Sequence, residues 1–289
     1  MSSNYAIIGG DLRIVKLAKM MTDEGNVINT FGLEQAEELN GCKNIVFHNS
    51  LSSAAESADI VIAPIPFSKN GVEINATFSN KKISIQELLD NIKHKKLIAG
   101  SIKKEIYDIA KEKDVEVIDI MKNEDVAILN AISTAEGAIE VAFANTEKTL
   151  HGSNVLILGF GRLGKVIAKK LEALSAKVTC AARKNEDFAW IKAYGYEATN
   201  INNLSENLSN YDIIINTVPV LILNKMRLQK LKKDCLLIDL ASNPGGIDFE
   251  ESKRLGIKCI WALALPGKVA PVTTAEIIKD SIYNILENF

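Results

Sequence analysis

Charge of one sign is what this chain has least of: 34 Lys and Arg stand against 36 Asp and Glu, a formal net charge of −2, and no block of like charge interrupts its 289 residues. Without a basic stripe there is nothing to hold a nucleic acid or another polyanion by, so no such partner is expected. Cysteine is scarce too. Cys42, Cys180, Cys235 and Cys259 are isolated, and three of them lie inside apolar strand-like runs, where they read as small buried hydrophobes of a reducing compartment. No Cys-x-x-Cys pair and no His-x-x-x-His occurs, so no protein-bound metal is expected. The amino terminus lacks the basic start and long apolar core of a secretory leader, and no apolar run approaches the roughly 20 residues that span a bilayer. A cytoplasmic protein with two domains and a sizeable core is expected.

What is present centres on Asn154-Val-Leu-Ile-Leu-Gly159-Phe160-Gly161-Arg162-Leu163-Gly164. An apolar run breaks into glycines and resumes with helical apolar spacing at Leu163, Val166, Ile167, Leu171 and Leu174, and a second strand follows at Lys177–Ala181. This is a strand, a phosphate turn and a helix. Gly159 makes the tight turn, Gly161 lets a pyrophosphate approach the backbone, Gly164 lets the helix pack on the strand, and Phe160, Arg162 and Leu163 are expected to contact the cofactor beside them. Dinucleotide-binding folds of the NAD type place an acid about 20 residues past the glycines to hold the ribose hydroxyls. Here the second strand closes on Ala182-Arg183-Lys184, which favours a 2′-phosphate and hence NADP(H) over NAD(H). Two later strands end in small or polar residues where a nicotinamide ribose would lie, at Thr217-Val218-Pro219 and at Leu240-Ala241-Ser242. The last strand runs into a turn-rich loop at 265–271 whose Leu265 and Pro266 are expected to contact the cofactor, and Thr273-x-x-Glu276 caps a final helix with an apolar stripe.

The first half looks related but differs at its glycines. Tyr5–Ile8 enters Gly9-Gly10-Asp11-Leu12-Arg13, which lacks the third glycine and puts an acid where a phosphate would sit. Further strands at Val27–Ile28, Ile45–Phe47, Asp59–Ala63, Lys96–Ala99 and Val115–Ile118 alternate with helices and suggest a parallel, flavodoxin-like sheet. Ser84-x-x-Glu87 reads as a capping box. The carboxyl ends of these strands carry Arg13, Ser68 and Ser101. Between the halves one long helix is expected from Asn123 to about Thr146, with Asn130, Thr134 and Gly137 on one open stripe and Glu136 off it unless Gly137 distorts the helix. The expected architecture is α/β, with two Rossmann-like parallel-sheet domains and a cleft between them. The first domain takes residues 1–123, the connecting helix 124–150, and the dinucleotide-binding domain 151–289.

The order of Gly9-Gly10-Asp11-x-Arg13, Asn130-x-Ile132-x-Thr134-x-Glu136-Gly137, His151-Gly152-Ser153, the glycine turn, Asn216-Thr217-x-Pro219, Asp239-Leu-Ala-Ser242-x-Pro244-Gly245-Gly246 and Leu265-Pro266-Gly267-x-Val269-Ala270-Pro271-x-Thr273 resembles the A subunit of dipicolinate synthase from spore-forming bacteria. It departs at Ala264, where the pattern leads one to expect glycine. The resemblance implies an NADP-dependent subunit that turns 4-hydroxy-tetrahydrodipicolinate, or its dehydrated form, into dipicolinate in the mother cell during sporulation. It also implies a flavoprotein second subunit. On that reading Arg13, Ser68, Ser101, Asn130 and Thr134 face the dicarboxylate, and of the two acids near the expected cleft, Glu136 and Asp125, Glu136 is the preferred base. His151 precedes the cofactor strand at its far end and reads as structural. Two other readings stay open: a reductase of another small acid, similar to shikimate or 2-hydroxy acid dehydrogenases, and a nucleotide-binding subunit that supports a catalytic partner. Self-association is also left open.

Overall fold

The computed structural model describes residues 4–206 and 208–287, so Met1–Ser3, part of the stretch read for a leader, lie outside it. The chain forms two compact units. The first takes the chain up to Leu129 and again from Ala270, and the second is Asn130–Val269.

In the first unit β1 (Asn4–Ile8), β2 (Val27–Phe31), β3 (Ile45–Phe47), β4 (Ile60–Ile62), β5 (Lys96–Ala99) and β6 (Glu116–Asp119) alternate with α1 (Leu12–Asp23), α2 (Leu51–Glu56), α3 (Ile85–Asn91) and α4 (Lys104–Glu112). All pairings are parallel, in the order β3-β2-β1-β4-β5-β6. The central strands are apolar throughout because both faces are covered. Ala6, Ile8, Val61 and Leu97 pack on the α2–α3 side, while Tyr5, Ile7, Ile62 and Ile98 pack on the α1 side. The expectation of a flavodoxin-like order is corrected. The chain turns back across the sheet after its third strand, giving the order of dinucleotide-binding sheets. Both orders present the same alternation of strands and helices, so the sequence pattern does not separate them.

The long α5 (Glu124–Asn145) carries the chain from the first unit to the second. By length and mean hydropathy it alone among the described residues could cross a bilayer, but polar residues from Glu124 to Glu140 interrupt it and leave no continuous apolar run. It also carries Glu124, Asp125, Glu136 and Glu140, and its Ala135, Ala138 and Ala142 are buried in the second unit's core. Ile128, Leu129, Ile132 and Phe143 on the same helix are exposed.

The second unit repeats the first. Its elements are β7 (Asn154–Leu158), α6 (Arg162–Ala173), β8 (Lys177–Ala182), α7 (Asn185–Ala193), β9 (Glu197–Asn200), β10 (Ile213–Asn216), α8 (Lys225–Leu228), β11 (Leu236–Asp239), α9 (Phe249–Arg254), β12 (Cys259–Trp261) and α10 (Leu265–Val269). The order β12-β11-β10-β7-β8-β9 is that of the first sheet. Edge strand β9 escapes the sequence reading because Glu197-Ala-Thr-Asn200 has almost no apolar signal. The turn-rich loop expected at 265–271 is instead α10 followed by α11 (Pro271–Glu287). Proline suits a first helical turn, so α11 begins at Pro271 and Thr273 lies inside it, not at its cap. Ser84 does sit at the cap of α3, but its side chain makes no capping bond.

Helix α11 belongs to the first unit, not to the dinucleotide-binding domain as expected. Its Ala275, Ile278 and Ile282 join Ile14, Val15 and Leu17 of α1 in one core. Lys279 pairs with Glu24, whose other oxygen accepts from the Tyr283 hydroxyl at 2.7 Å.

Candidate cofactor and substrate sites

The glycine turn lies at the carboxyl end of β7, between β8 and β10. Gly159 adopts φ +96°, and its N–H donates to the Ala181 carbonyl at 2.9 Å. A methyl group on Gly164 would stand 2.2 Å from the Gly159 carbonyl oxygen, so only glycine lets α6 approach the strand this closely. A methyl group on Gly161 would meet nothing within 4 Å. Gly161 is also the cap of α6 and supplies no side chain to its first N–H groups, which are left to an anion. The residues present therefore fit a dinucleotide pyrophosphate. Phe160 was expected to touch the cofactor, but its ring is 2 % exposed and packs among Tyr194 and Tyr196, leaving only its backbone at the turn. Leu163 is half-buried against the same core, and Arg162 is exposed.

At the end of β8, Ala182 is buried and Arg183 and Lys184 are exposed. Lys184 pairs with Glu186 at 3.1 Å, whereas Arg183 has no partner among the described residues. No carboxylate occupies the strand end itself.

The loops after β10 and β11 are tied by two residues that the sequence reading leaves without a role. Asp239, fully buried, accepts from Asn216 Nδ2 at 2.8 Å, the Ala241 N–H at 3.0 Å and the Gly246 N–H at 2.7 Å. Asn216 in turn donates to the Val218 carbonyl at 3.0 Å and accepts from the Val218 N–H at 3.2 Å. The available signal was a polar residue closing each of two otherwise apolar strands. Thr217 turns its hydroxyl inward to the Leu158 carbonyl at 2.9 Å, and Val218 is half-buried. Pro219 and Ser242 are exposed, while Ala241 is buried and its carbonyl is taken by Trp261 Nε1 at 2.8 Å. Leu265 and Pro266 are corrected as contact residues. Both are buried, and Leu265 fills the space above Gly137, where a methyl group would lie 2.9 Å from its Cβ.

In the first unit Arg13 is 5 % exposed and already engaged. Its Nε and Nη2 chelate Asp11, with Nε to Oδ1 at 3.0 Å and Nη2 to Oδ2 at 2.6 Å, and Nη2 also donates to the Ile65 carbonyl. Asp11 is both the cap of α1 and the counter-ion of Arg13. Arg13 therefore ties the turns after β1 and β4 together, and its charge is compensated before any substrate arrives. Ser68 is likewise spent: its hydroxyl donates to the Glu73 carbonyl at 2.5 Å and accepts from the Gly71 N–H at 2.8 Å. Ser101 is exposed at φ +56°, its N–H held by buried Asp119 at 3.0 Å and its hydroxyl without a partner among the described residues.

On α5, Asn130 and Thr134 are half-buried, and the Thr134 hydroxyl donates back to the Asn130 carbonyl at 2.8 Å. Glu136 is exposed and pairs with Lys170 at 2.7 Å. Lys170 lies two turns along α6 from the glycine turn, so this carboxylate faces the flank of the helix and not its phosphate-binding end. The base role is withdrawn on that geometry.

Residues 4–121 match the model of the N-terminal domain of the dipicolinate synthase A subunit, and residues 130–244 that of the D-isomer specific 2-hydroxyacid dehydrogenase NAD binding domain. The dipicolinate synthase A subunit of Bacillus subtilis is 33% identical over 97% of this chain and 95% of its own length. The crystal structure of that organism's dipicolinate synthase A chain superposes with a TM-score of 0.88 at 32% identity, covering 100% of this chain and 97% of that one. The corresponding chain from Bacillus halodurans gives a TM-score of 0.88 at 30% identity over 98% and 97% of the two chains. With the glycine turn, these likenesses make the chain an oxidoreductase that uses a nicotinamide dinucleotide, one subunit of a two-subunit enzyme. It belongs to the family of dipicolinate synthase A subunits.

Proposed function

We propose that this chain takes a hydride from a cyclic dicarboxylate, 4-hydroxy-tetrahydrodipicolinate or its dehydrated form, and delivers it to NADP⁺ in preference to NAD⁺. The observation that carries this reading is family membership over the whole chain together with a glycine turn open at Gly161. Loss of water from the hydroxylated ring gives the dihydro compound. Loss of a hydride and a proton then makes the ring aromatic, so most of the driving force lies in the substrate and the protein's task is positioning. The nicotinamide accepts the hydride. The preference for NADP⁺ is supported by Arg183, a guanidinium without a partner among the described residues at the strand end where NAD-type folds place an acid. Action in the cytoplasm of the sporulating cell, with a flavoprotein as the second subunit, completes the reading.

The test is dipicolinate formation, followed by ultraviolet absorbance, from enzymatically generated substrate with NADP⁺ or NAD⁺. The chain is assayed alone and then with its partner protein. Product from the chain alone supports the reading. Product that needs the partner leaves this chain as a nucleotide- or substrate-handling component. NADPH binding without product in either assay turns the assignment to another small acid.

A further inference from the structure

The first unit holds a cavity of about 460 Å³ within segment 69–82, a volume in the range of small-ligand sites. The segment follows β4 and folds back across the carboxyl end of β1. The Asn75 carbonyl accepts from the Gly10 N–H at 2.9 Å, and the Thr77 N–H and hydroxyl both donate to the Gly10 carbonyl at 3.0 Å. In the order β3-β2-β1-β4-β5-β6 the winding reverses between β1 and β4, which is where open parallel sheets take their ligands.

Three lysines, Lys69, Lys81 and Lys82, line the cavity against one carboxylate, Glu73. Lys82 stands 3.5 Å from Glu73 and offsets it, while Lys81 lies over the Phe31 ring at 4.7 Å and reaches the Asn49 carbonyl at 3.3 Å. A second carboxylate, Glu34, sits nearby and is bound by the Ser79 hydroxyl at 2.6 Å. Lys69 has no partner among the described residues. Asn75 is the more informative group. It is 9 % exposed and lines the cavity, and its N–H donates to the Phe67 carbonyl at 3.0 Å. Yet its side-chain amide has no hydrogen-bond partner among the described residues. The amide is not sealed in the core and is free to donate to a ligand in the cavity.

Resting on the reading that the substrate is a cyclic dicarboxylate, we propose that this cavity, and not Arg13, receives a substrate carboxylate. Lys69 supplies the charge and the Asn75 side-chain amide donates the directed hydrogen bond. Arg13, already compensated by Asp11, holds the neighbouring turns in place.

The experiment compares the full chain with Lys69→Gln, Asn75→Ala, Lys69→Arg and, as a control at the far end of α4, Lys111→Gln. Affinity for dipicolinate is read by titration calorimetry, KM and kcat by NADPH formation, and folding by thermal melts. Both Lys69→Gln and Asn75→Ala should weaken dipicolinate binding and raise KM by about tenfold or more, the worth of one charge-assisted hydrogen bond, with kcat and NADPH affinity kept. Lys69→Arg and Lys111→Gln should stay near the parent. The two side chains make no bonds among the described residues, so melting temperatures should not move. An active parent whose Lys69→Gln and Asn75→Ala variants keep KM and dipicolinate affinity overturns the site alone. A parent that binds no dipicolinate and forms no product overturns the functional reading and this site with it.

Discussion

Gly161 and Gly164 lie three residues apart and should fail differently when given a methyl group. At Gly161 nothing stands within 4 Å and the backbone is in an ordinary extended conformation, so Gly161→Ala should leave stability within about 0.5 kcal/mol. It should nevertheless weaken NADPH binding by about tenfold or more, because the methyl occupies the approach of the pyrophosphate. At Gly164 the methyl meets a backbone carbonyl at 2.2 Å, which no rotamer relieves, so Gly164→Ala should cost about 1–3 kcal/mol in chemical denaturation and lose binding as a consequence. Paired melts and NADPH titrations separate the two cases. Arg183 offers a second contrast. Arg183→Asp should reduce NADPH affinity by roughly ten- to a hundredfold while NADH affinity stays within about twofold. Equal losses for both would make Arg183 only an exposed base that closes a strand.

At the scale of elements the apolar strand runs were legible because parallel strands buried on both faces announce themselves in sequence: β1, β5 and β7 fall where the runs lie. The glycine turn was legible because its three positions are spaced by geometry. What escaped depends on partners distant in sequence. Arg13 reads as a free cation until the fold brings Asp11 and the Ile65 carbonyl against it, and Asn75 carries no signal until the fold sets it on a cavity wall. Ala264 shows the reverse. The pattern calls for glycine there, and the chain does take φ +58° at that alanine, a conformation that glycine reaches without the Cβ clash. Strand β10 is held at its amino end by Asp212, which accepts from the Asn154 N–H at 2.9 Å, Lys232 at 2.8 Å and Lys148 at 3.2 Å. Burial pushes this carboxyl upward, but the two lysines and the N–H overcome it and bring its pKa to about 2. A carboxylate lowered from 3.8 contributes fully above that value and loses the contribution as pH falls toward 2. The difference is on the order of 2 kcal/mol. Urea unfolding should therefore show Asp212→Asn less stable than the parent at neutral pH, with the gap narrowing below about pH 4.

At the scale of the whole chain, α11 decides which residues form a unit. Its sequence lies beyond the dinucleotide-binding segment, yet Ile278 and Ile282 are buried against α1, and Asn26 Nδ2 donates to the Tyr283 hydroxyl at 2.9 Å. The pairing of Lys279 with Glu24 makes the same connection on the surface. An apolar stripe on a terminal helix states that something covers it, but not what. Here the cover is α1, so the first unit is completed only by residues that follow the whole of the second. Ile278→Ala should then cost the first unit about 2–5 kcal/mol, the usual range for emptying a buried isoleucine site. The groups proposed to hold the dinucleotide all lie on Asn130–Val269, so NADPH affinity should not change. Scanning calorimetry with and without NADPH checks both points, since a ligand raises the melting temperature only of what binds it. In the variant, a transition indifferent to NADPH should move down while the NADPH-sensitive one stays in place. One transition that shifts as a whole would instead mean that the two units melt together, and α11 would then support the entire chain.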